Sequence, residues 1–342
     1  MTFSIGRYLV AGALLVSFGR LHAEDGAAIS ARLQSADATT ALDDATLRPW
    51  HLKVSFQLFD AKGQPTEQGT LEEWWAGQDK DKRIFTSPSY TATEIQTKDG
   101  LYRSTGVGAA PEMLDTVREQ VVHPMPSKDD EAGAKPELRQ QNFGKVPLDC
   151  IMLSQPIKDA PFAPLGLFPT YCLDRDKDTL RASFDFGSLL IIRNSLGVFQ
   201  TRTVATAITA KMNDVTVMSS HVEKLDTASL PDIDFMPATK LEKITNAVRV
   251  GSGVIAGQRL SSTPPHYPEG ARARHATGTV VMRALISSDG HIYRLRLVSV
   301  PDPELAIAAL AAVRQWTYKP YLLNGEPVTV DTTITVNFAI SN

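Results

Sequence analysis

The side chains best suited to covalent or metal chemistry are two cysteines, Cys150 and Cys172, whose spacing fits neither a zinc site nor a redox pair. They flank a proline-rich stretch (Pro156, Pro161, Pro164, Pro169), and each follows residues typical of strand entry. In an oxidising compartment a disulfide closing that loop is expected, contributing about 3 kcal/mol on a chain-entropy estimate. The plainer alternative is a pair of buried thiols. The seven histidines show no ligand spacing: His221, His266, His275 and His291 stand alone, and no His-Glu-x-x-His pattern occurs. Paired carboxylates at strand ends, a serine in a nucleophile elbow and a Cys–His arrangement are missing too. Gly251-Ser252-Gly253 lacks the strand–turn–helix setting of a phosphate loop and reads as linker. With no catalytic, metal-binding or cofactor-binding residues to nominate, the sequence points to binding and not to an enzyme.

Positioning such a binding surface falls to the elements. The 342 residues suffice for two domains, each with its own core, in an ordinary globular composition of 43% hydrophobic and 21% charged residues. A net charge of −3, without blocks of like charge, makes no case for nucleic acid as a partner. Arg7, the apolar run Tyr8 to Phe18, and Leu21-His22-Ala23 before Glu24 follow the order of a secretory signal. A helix over that run covers about half the hydrocarbon core, so a cleaved signal over residues 1–23 is expected ahead of an uncleaved anchor.

Residues 24–48 suit a short helix or an ordered arm. Trp50, Leu52, Val54, Phe56 and Leu58 then alternate with polar residues, a strand with one apolar face. Strand-like pieces follow at Gly69 to Trp75, Arg83 to Thr86, Tyr90 to Thr97 and Leu101 to Ser104. Met113, Leu114, Val117 and Val121 predict a helix, and Pro124 to Gln141 a loop. Strands resume over Leu180 to Phe186, Leu189 to Arg193, Val198 to Ile208, Val215 to Ser220 and Val222 to Leu225. Trp74-Trp75 are candidates to line an apolar groove, although one buried ring and one on the surface is the plainer expectation. The fold class is α+β, with residues 24–240 an antiparallel β-rich domain. Its strand order loosely resembles the half-barrel of lipoprotein carriers such as LolA, with no motif behind the resemblance. Residues 241–257 have linker composition.

From Gln258 the signals sharpen. Tyr267-Pro268 ends a proline-stiffened segment and leads into a short helix, Glu269 to Arg274. Val280, Met282, Ala284 and Ile286 share one face of a strand, Ser288-Asp289-Gly290 marks a hairpin, and Ile292 to Val298 return. Asp302, Pro303 and Glu304 are helix-start residues, and Leu305, Ala309, Ala312, Val313 and Trp316 form an apolar stripe. A last strand alternates Val328, Val330, Ile334, Val336, Phe338 and Ile340 with polar residues. The unit reads as helix, hairpin, helix, strand over 258–342.

This region resembles the TonB C-terminal domain family. The resemblance is carried by Tyr267-Pro268 with Ala271 and Ala273, Gly278-Thr279-Val280, Ser288-Asp289-Gly290-His291-Ile292, Ala308-Ala309 to Ala312-Val313, and Arg314-Gln315-Trp316-Thr317-Tyr318-Lys319-Pro320. Gly325-Glu326-Pro327-Val328 and Val336-Asn337-Phe338 complete it. It implies a periplasmic, inner-membrane-associated transducer of energy for transmembrane transport. Its last strand would offer an edge to an extended segment of a TonB-dependent outer-membrane receptor. The implied partner-binding residues are Tyr267, Pro268, Thr329, Asp331, Thr333, Thr335 and Asn337. An inner-membrane proton-channel complex of the ExbB/ExbD type is the second implied partner, and a homodimer across the same strand is a rival. Two departures stand out: the family's anchoring helix and long proline-rich spacer are replaced by a short signal and a folded domain. The alternative function is a soluble periplasmic binding protein whose first domain holds an apolar ligand.

Overall fold

The computed structural model describes residues 26–340 apart from 61, 105–110, 112, 156, 158–162, 186–188, 231–234, 239–240 and 244–246. The export signal expected over residues 1–23 lies outside the described residues.

After helix α1 (Gly26–Thr40), strand β1 (Trp50–Phe59) buries Trp50, Leu52, Val54, Phe56 and Leu58 and leaves its alternate residues half-buried. The chain continues as an antiparallel meander through β2 (Pro65–Gly77), β3 (Lys80–Thr86), β4 (Thr91–Thr97) and β5 (Gly100–Ser104). Helix α2 (Leu114–Val122) and the short α3 (Lys128–Glu131) lead to a second meander. It runs through β6 (Lys135–Phe143), β7 (Val146–Ser154), β8 (Thr170–Asp174), β9 (Leu180–Asp185), β10 (Leu189–Phe199), β11 (Arg202–Met212) and β12 (Val215–Thr227). Strand β12 pairs with β1, so the two meanders make one 13-stranded sheet, with β13 (Leu241–Lys243) beside β5 at one edge and β6 at the other.

The apolar face of β1 packs with Leu71, Phe85, Ile191, Val204 and Ile208 under Leu114, Val117 and Val121 of α2. Helix α2 is also pinned by charge: Arg118 forks onto the fully buried Glu73 at 2.7 and 2.8 Å. Trp75 stacks on Trp50 inside, whereas Trp74 stacks on His51 on the opposite face. Cys150 and Cys172 are register partners on β7 and β8 and form a disulfide.

Two sequence expectations change here. The loop expected over 124–141 holds α3 and β6; β6 is an edge strand with largely accessible side chains, so it lacks the apolar alternation that marks a strand. The strand expected over Val198 to Ile208 is interrupted by a hairpin turn, with Gln200 at φ 51° and Phe199 paired to Arg202.

The second sheet has the order β14-β21-β16-β17. Its elements are β14 (Val248–Arg249), α4 (Ser252–Ala256), β15 (Arg259–Ser261), α5 (Glu269–Ala273), β16 (Gly278–Ile286) and β17 (Ile292–Ser299). Then come α6 (Pro303–Val313), β18 (Thr317–Tyr318), β19 (Tyr321–Leu323), β20 (Glu326–Val328) and β21 (Val330–Phe338). The stretch with linker composition, 241–257, thus carries one strand of the first sheet, one strand of the second, and α4.

Candidate partner-docking edge

Strand β21 owes its place to burial. Val330, Ile334, Val336 and Phe338 join Val280, Met282, Ala284 and Ile286 of β16 in one core, closed by Leu305, Ala306, Ala309 and Leu310 of α6. Helix α6 starts where Asp302 Oδ1 accepts from the backbone of Glu304 (2.9 Å) and Leu305 (3.2 Å), with Pro303 next. Trp316 and Tyr318 are core residues; the indole N–H donates to Thr263 O at 2.9 Å. At the β16–β17 hairpin, Gly290 has φ 91°, and a Cβ there would lie 1.9 Å from Tyr318 O. Only glycine fits that approach.

The two sides of this sheet differ. The β17 side faces the part of the chain that carries the 13-stranded sheet, the first unit: Arg294 pairs with Glu119 at 2.9 Å, Arg296 pairs with Asp130, and Val300 forms a parallel bridge with Ile157. Met152, Ala163, Leu167 and Phe168 of the first unit are buried in the same cluster as α6. On the β21 side the sheet ends, among the described residues, in β14, whose two residues pair in parallel with Val330 and Asp331. Among the described residues, 332–338 have no strand partner on that side.

Parity fixes what this edge presents. Both main-chain groups of a strand residue point to the same side. Thr329 O and Asp331 O accept from Val248 and Val250, so the odd-numbered residues of β21 direct their N–H and C=O away from β16. The same odd residues put their side chains on the outer face of the sheet, where Thr333, Thr335 and Asn337 are exposed. Asn337 accepts from Thr279 Oγ1 across the sheet at 3.3 Å. Tyr267 stands at the far end: its ring meets Phe338 edge-on at 5.5 Å, its hydroxyl donates to Ala276 O, and Pro268 caps α5 beside it.

Thr329, Asp331, Thr333, Thr335 and Asn337 thus lie along one edge, where the first two are already engaged, whereas Tyr267 and Pro268 sit at the Phe338 end beside α5. Thr329 is bonded to β14, and Asp331 is buried, held by Arg283 at 2.6 and 2.9 Å with Arg249 at 3.8 Å. The Arg283 hydrogen bond outweighs burial and keeps the Asp331 carboxyl below its ordinary range. Sequence reasoning missed Arg283 and Val248-Arg249-Val250. The signal in the latter was two β-branched residues around an arginine, a strand pattern too short to register beside its glycine-rich neighbours.

Residues 263–340 match the family described as the Gram-negative bacterial TonB protein C-terminal. This stretch is a TonB C-terminal domain. Over 77 residues, 22% of this chain, the sequence is 34% identical to Protein TonB of Vibrio cholerae. The match spans 32% of that protein, so this chain covers about a third of its curated relative's length. The solution structure of the Pseudomonas aeruginosa TonB C-terminal domain is similar at 30% identity and a TM-score of 0.23, over 25% of this chain and 87% of that one. A LolA superfamily protein from Nitrosomonas europaea matches at 11% identity and a TM-score of 0.39, over 60% of this chain and 95% of the other. In this TonB C-terminal domain the strand nominated for docking, β21, lies on the opposite side of β16 from β17, the strand that carries the Arg294 and Arg296 ion pairs.

Proposed function

We propose that this is a TonB-like periplasmic protein whose C-terminal domain binds an extended segment of a TonB-dependent outer-membrane receptor by strand addition to β21. This binding would support energy-dependent transport across the outer membrane. The observation that supports it best is the run of Thr333, Thr335 and Asn337, with main chain turned outward on a stretch lacking a strand partner among the described residues. Added main-chain bonds supply affinity, and Tyr267 with Pro268 marks the end of the register. Residues 24–240 and 258–342 act as two units, and a complex of the ExbB/ExbD type is the source of energy. No helix among the described residues is long and apolar enough to cross a membrane. On this reading, any membrane association comes through such a partner or through the N-terminal segment.

Cysteines placed singly at Thr333, Thr335 and Asn337 test the reading, with the native disulfide retained because Cys150 and Cys172 are bonded and buried. Cross-links to a receptor N-terminal peptide should appear in register along the three positions. Cross-links solely to a second copy of the chain, without competition by peptide, would replace docking with a dimer edge.

The alternative is a soluble periplasmic binding protein whose first domain holds an apolar ligand, and α2 over the sheet is one place for it. A cavity does lie there, lined by Gln120, Val121, Leu180, Arg193 and Leu196, but its volume is about 10 Å³. Small-molecule sites span roughly 300 Å³ or more, so a ligand at this place requires α2 to move first.

A further inference from the structure

The docking edge has an occupant of its own at one end. Val248 N–H donates to Thr329 O at 2.8 Å and Val250 N–H to Asp331 O at 3.0 Å, which seats β14 in parallel on the start of β21. Thr332 Oγ1 donates to Val250 O at 2.8 Å, and α4 continues alongside β21 with Ile255 in the core. Residues 248–256 thus guard an edge that its own sequence leaves nearly unprotected, with one charge and no interior proline. The guard is short. It has two ladder pairs, and its central side chain, Arg249, is 83% exposed.

Those two main-chain bonds are of the kind that an incoming extended chain reproduces one for one. A segment confined to the free part of β21 meets three outward-facing residues: Thr333, Thr335 and Asn337. One that also takes the place of β14 gains Thr329 and Asp331 in the same register. We infer that a partner segment docks by strand exchange: it replaces β14 on β21, runs in β14's parallel direction, and places an apolar residue where Val250 is now buried. This inference rests on the strand-addition reading and adds that the chain itself is the competitor to be displaced.

The test uses the full, disulfide-bonded chain and two fluorescent peptides. One is a ten-residue segment from the N-terminus of a TonB-dependent receptor; the other copies residues 247–253 of this chain. Val248→Pro combined with Val250→Pro removes both donors without touching β21. Exchange predicts that this double variant binds the receptor peptide about tenfold more tightly than the wild type, because a larger fraction of molecules is binding-competent. The variant should also bind the copy peptide, which the wild type excludes. Equal affinity of both proteins for the receptor peptide overturns exchange and leaves strand addition standing. Copy peptide bound by the variant alone, with receptor peptide bound by neither, supports exchange and overturns the receptor reading. No binding of either peptide to either protein overturns both. Should the prolines unfold the domain, hydrogen exchange in the wild type decides. The Val248 and Val250 amides lose protection when receptor peptide binds by exchange, and retained protection with peptide bound overturns the inference.

Discussion

His123 sits between two carboxylates, with Nδ1 2.8 Å from Asp43 Oδ1 and Nε2 3.4 Å from Asp37 Oδ1. It follows the last residue of α2 and ties that end of the helix to α1 and the loop after it. The Asp43 hydrogen bond, opposed by burial, raises the imidazole pKa above its ordinary value. Burial pushes the Asp43 carboxyl up, but the His123 hydrogen bond and charge outweigh it and hold the group low. Asp37 has no such bond, and burial pushes it up. A raised folded-state pKa means that the protonated histidine stabilises fully below its unfolded value of about 6.5. That contribution fades as pH climbs through the raised value. Asp43 works in the opposite direction, contributing above its unfolded pKa and losing that contribution as pH falls through the depressed one. Melting temperature should therefore decline from pH 6 towards pH 8.5, buried Asp185, pushed up to about 7, adding to the fall, and His123→Gln should remove the histidine's share of the decline. An identical slope in the variant would assign the effect to other groups.

At the level of elements, legibility followed burial. Strands β1, β16 and β21 each bury one face against a core, so their alternation in sequence matches the burial pattern, with Asp331 of β21, buried under Arg283, the exception. The α6 stripe Leu305, Ala309, Ala312, Val313 and Trp316 is buried throughout. Strand β6 was illegible because an exposed edge needs no apolar face, and β14 because its glycine-rich surroundings read as spacer. The guarding role of 248–256 depends on a parallel contact with residues some eighty positions later, which no local pattern encodes. Gly290 was legible as a turn residue, yet its tightest constraint is the Tyr318 carbonyl, again a distant partner. This contrast sets an order of effects in urea unfolding of the intact chain. Asp302→Ala removes one helix cap and should cost about 1 kcal/mol. Gly290→Ala combines a positive φ with a clash against backbone and should cost clearly more. The reverse order would mean that the hairpin tip relaxes away from β18.

Across the whole molecule, the disulfide and the contact between the parts that carry the two large sheets belong together. Cys150 and Cys172 pin the ends of the segment between β7 and β8. Met152 on β7 and Ala163, Leu167 and Phe168 on that segment lie in the core of the TonB C-terminal domain, while Ile157 bridges to Val300. Ion pairs from Arg294 and Arg296 surround this contact, and a cavity of about 50 Å³ beside Phe168 and Leu310 is too small for a ligand. On the proposed reading, a pull on β21 would pass through β16 and β17 to this contact, with the disulfide-bounded segment as its anchorage. Truncating a fully buried phenylalanine costs about 3–5 kcal/mol. Here Phe168→Ala should act mainly on the coupling, because Phe168 is buried in a cluster built mostly from the TonB C-terminal domain. Calorimetry of the wild type should show one unfolding transition, whereas Phe168→Ala, or Cys150→Ser with Cys172→Ser, should split it into two. The β7–β8 ladder survives in both variants, so the first unit keeps its sheet while its hold on the second loosens. A single transition that merely shifts to lower temperature in both variants would mean that the two units are coupled elsewhere, with the Arg294 and Arg296 ion pairs the next contacts to remove.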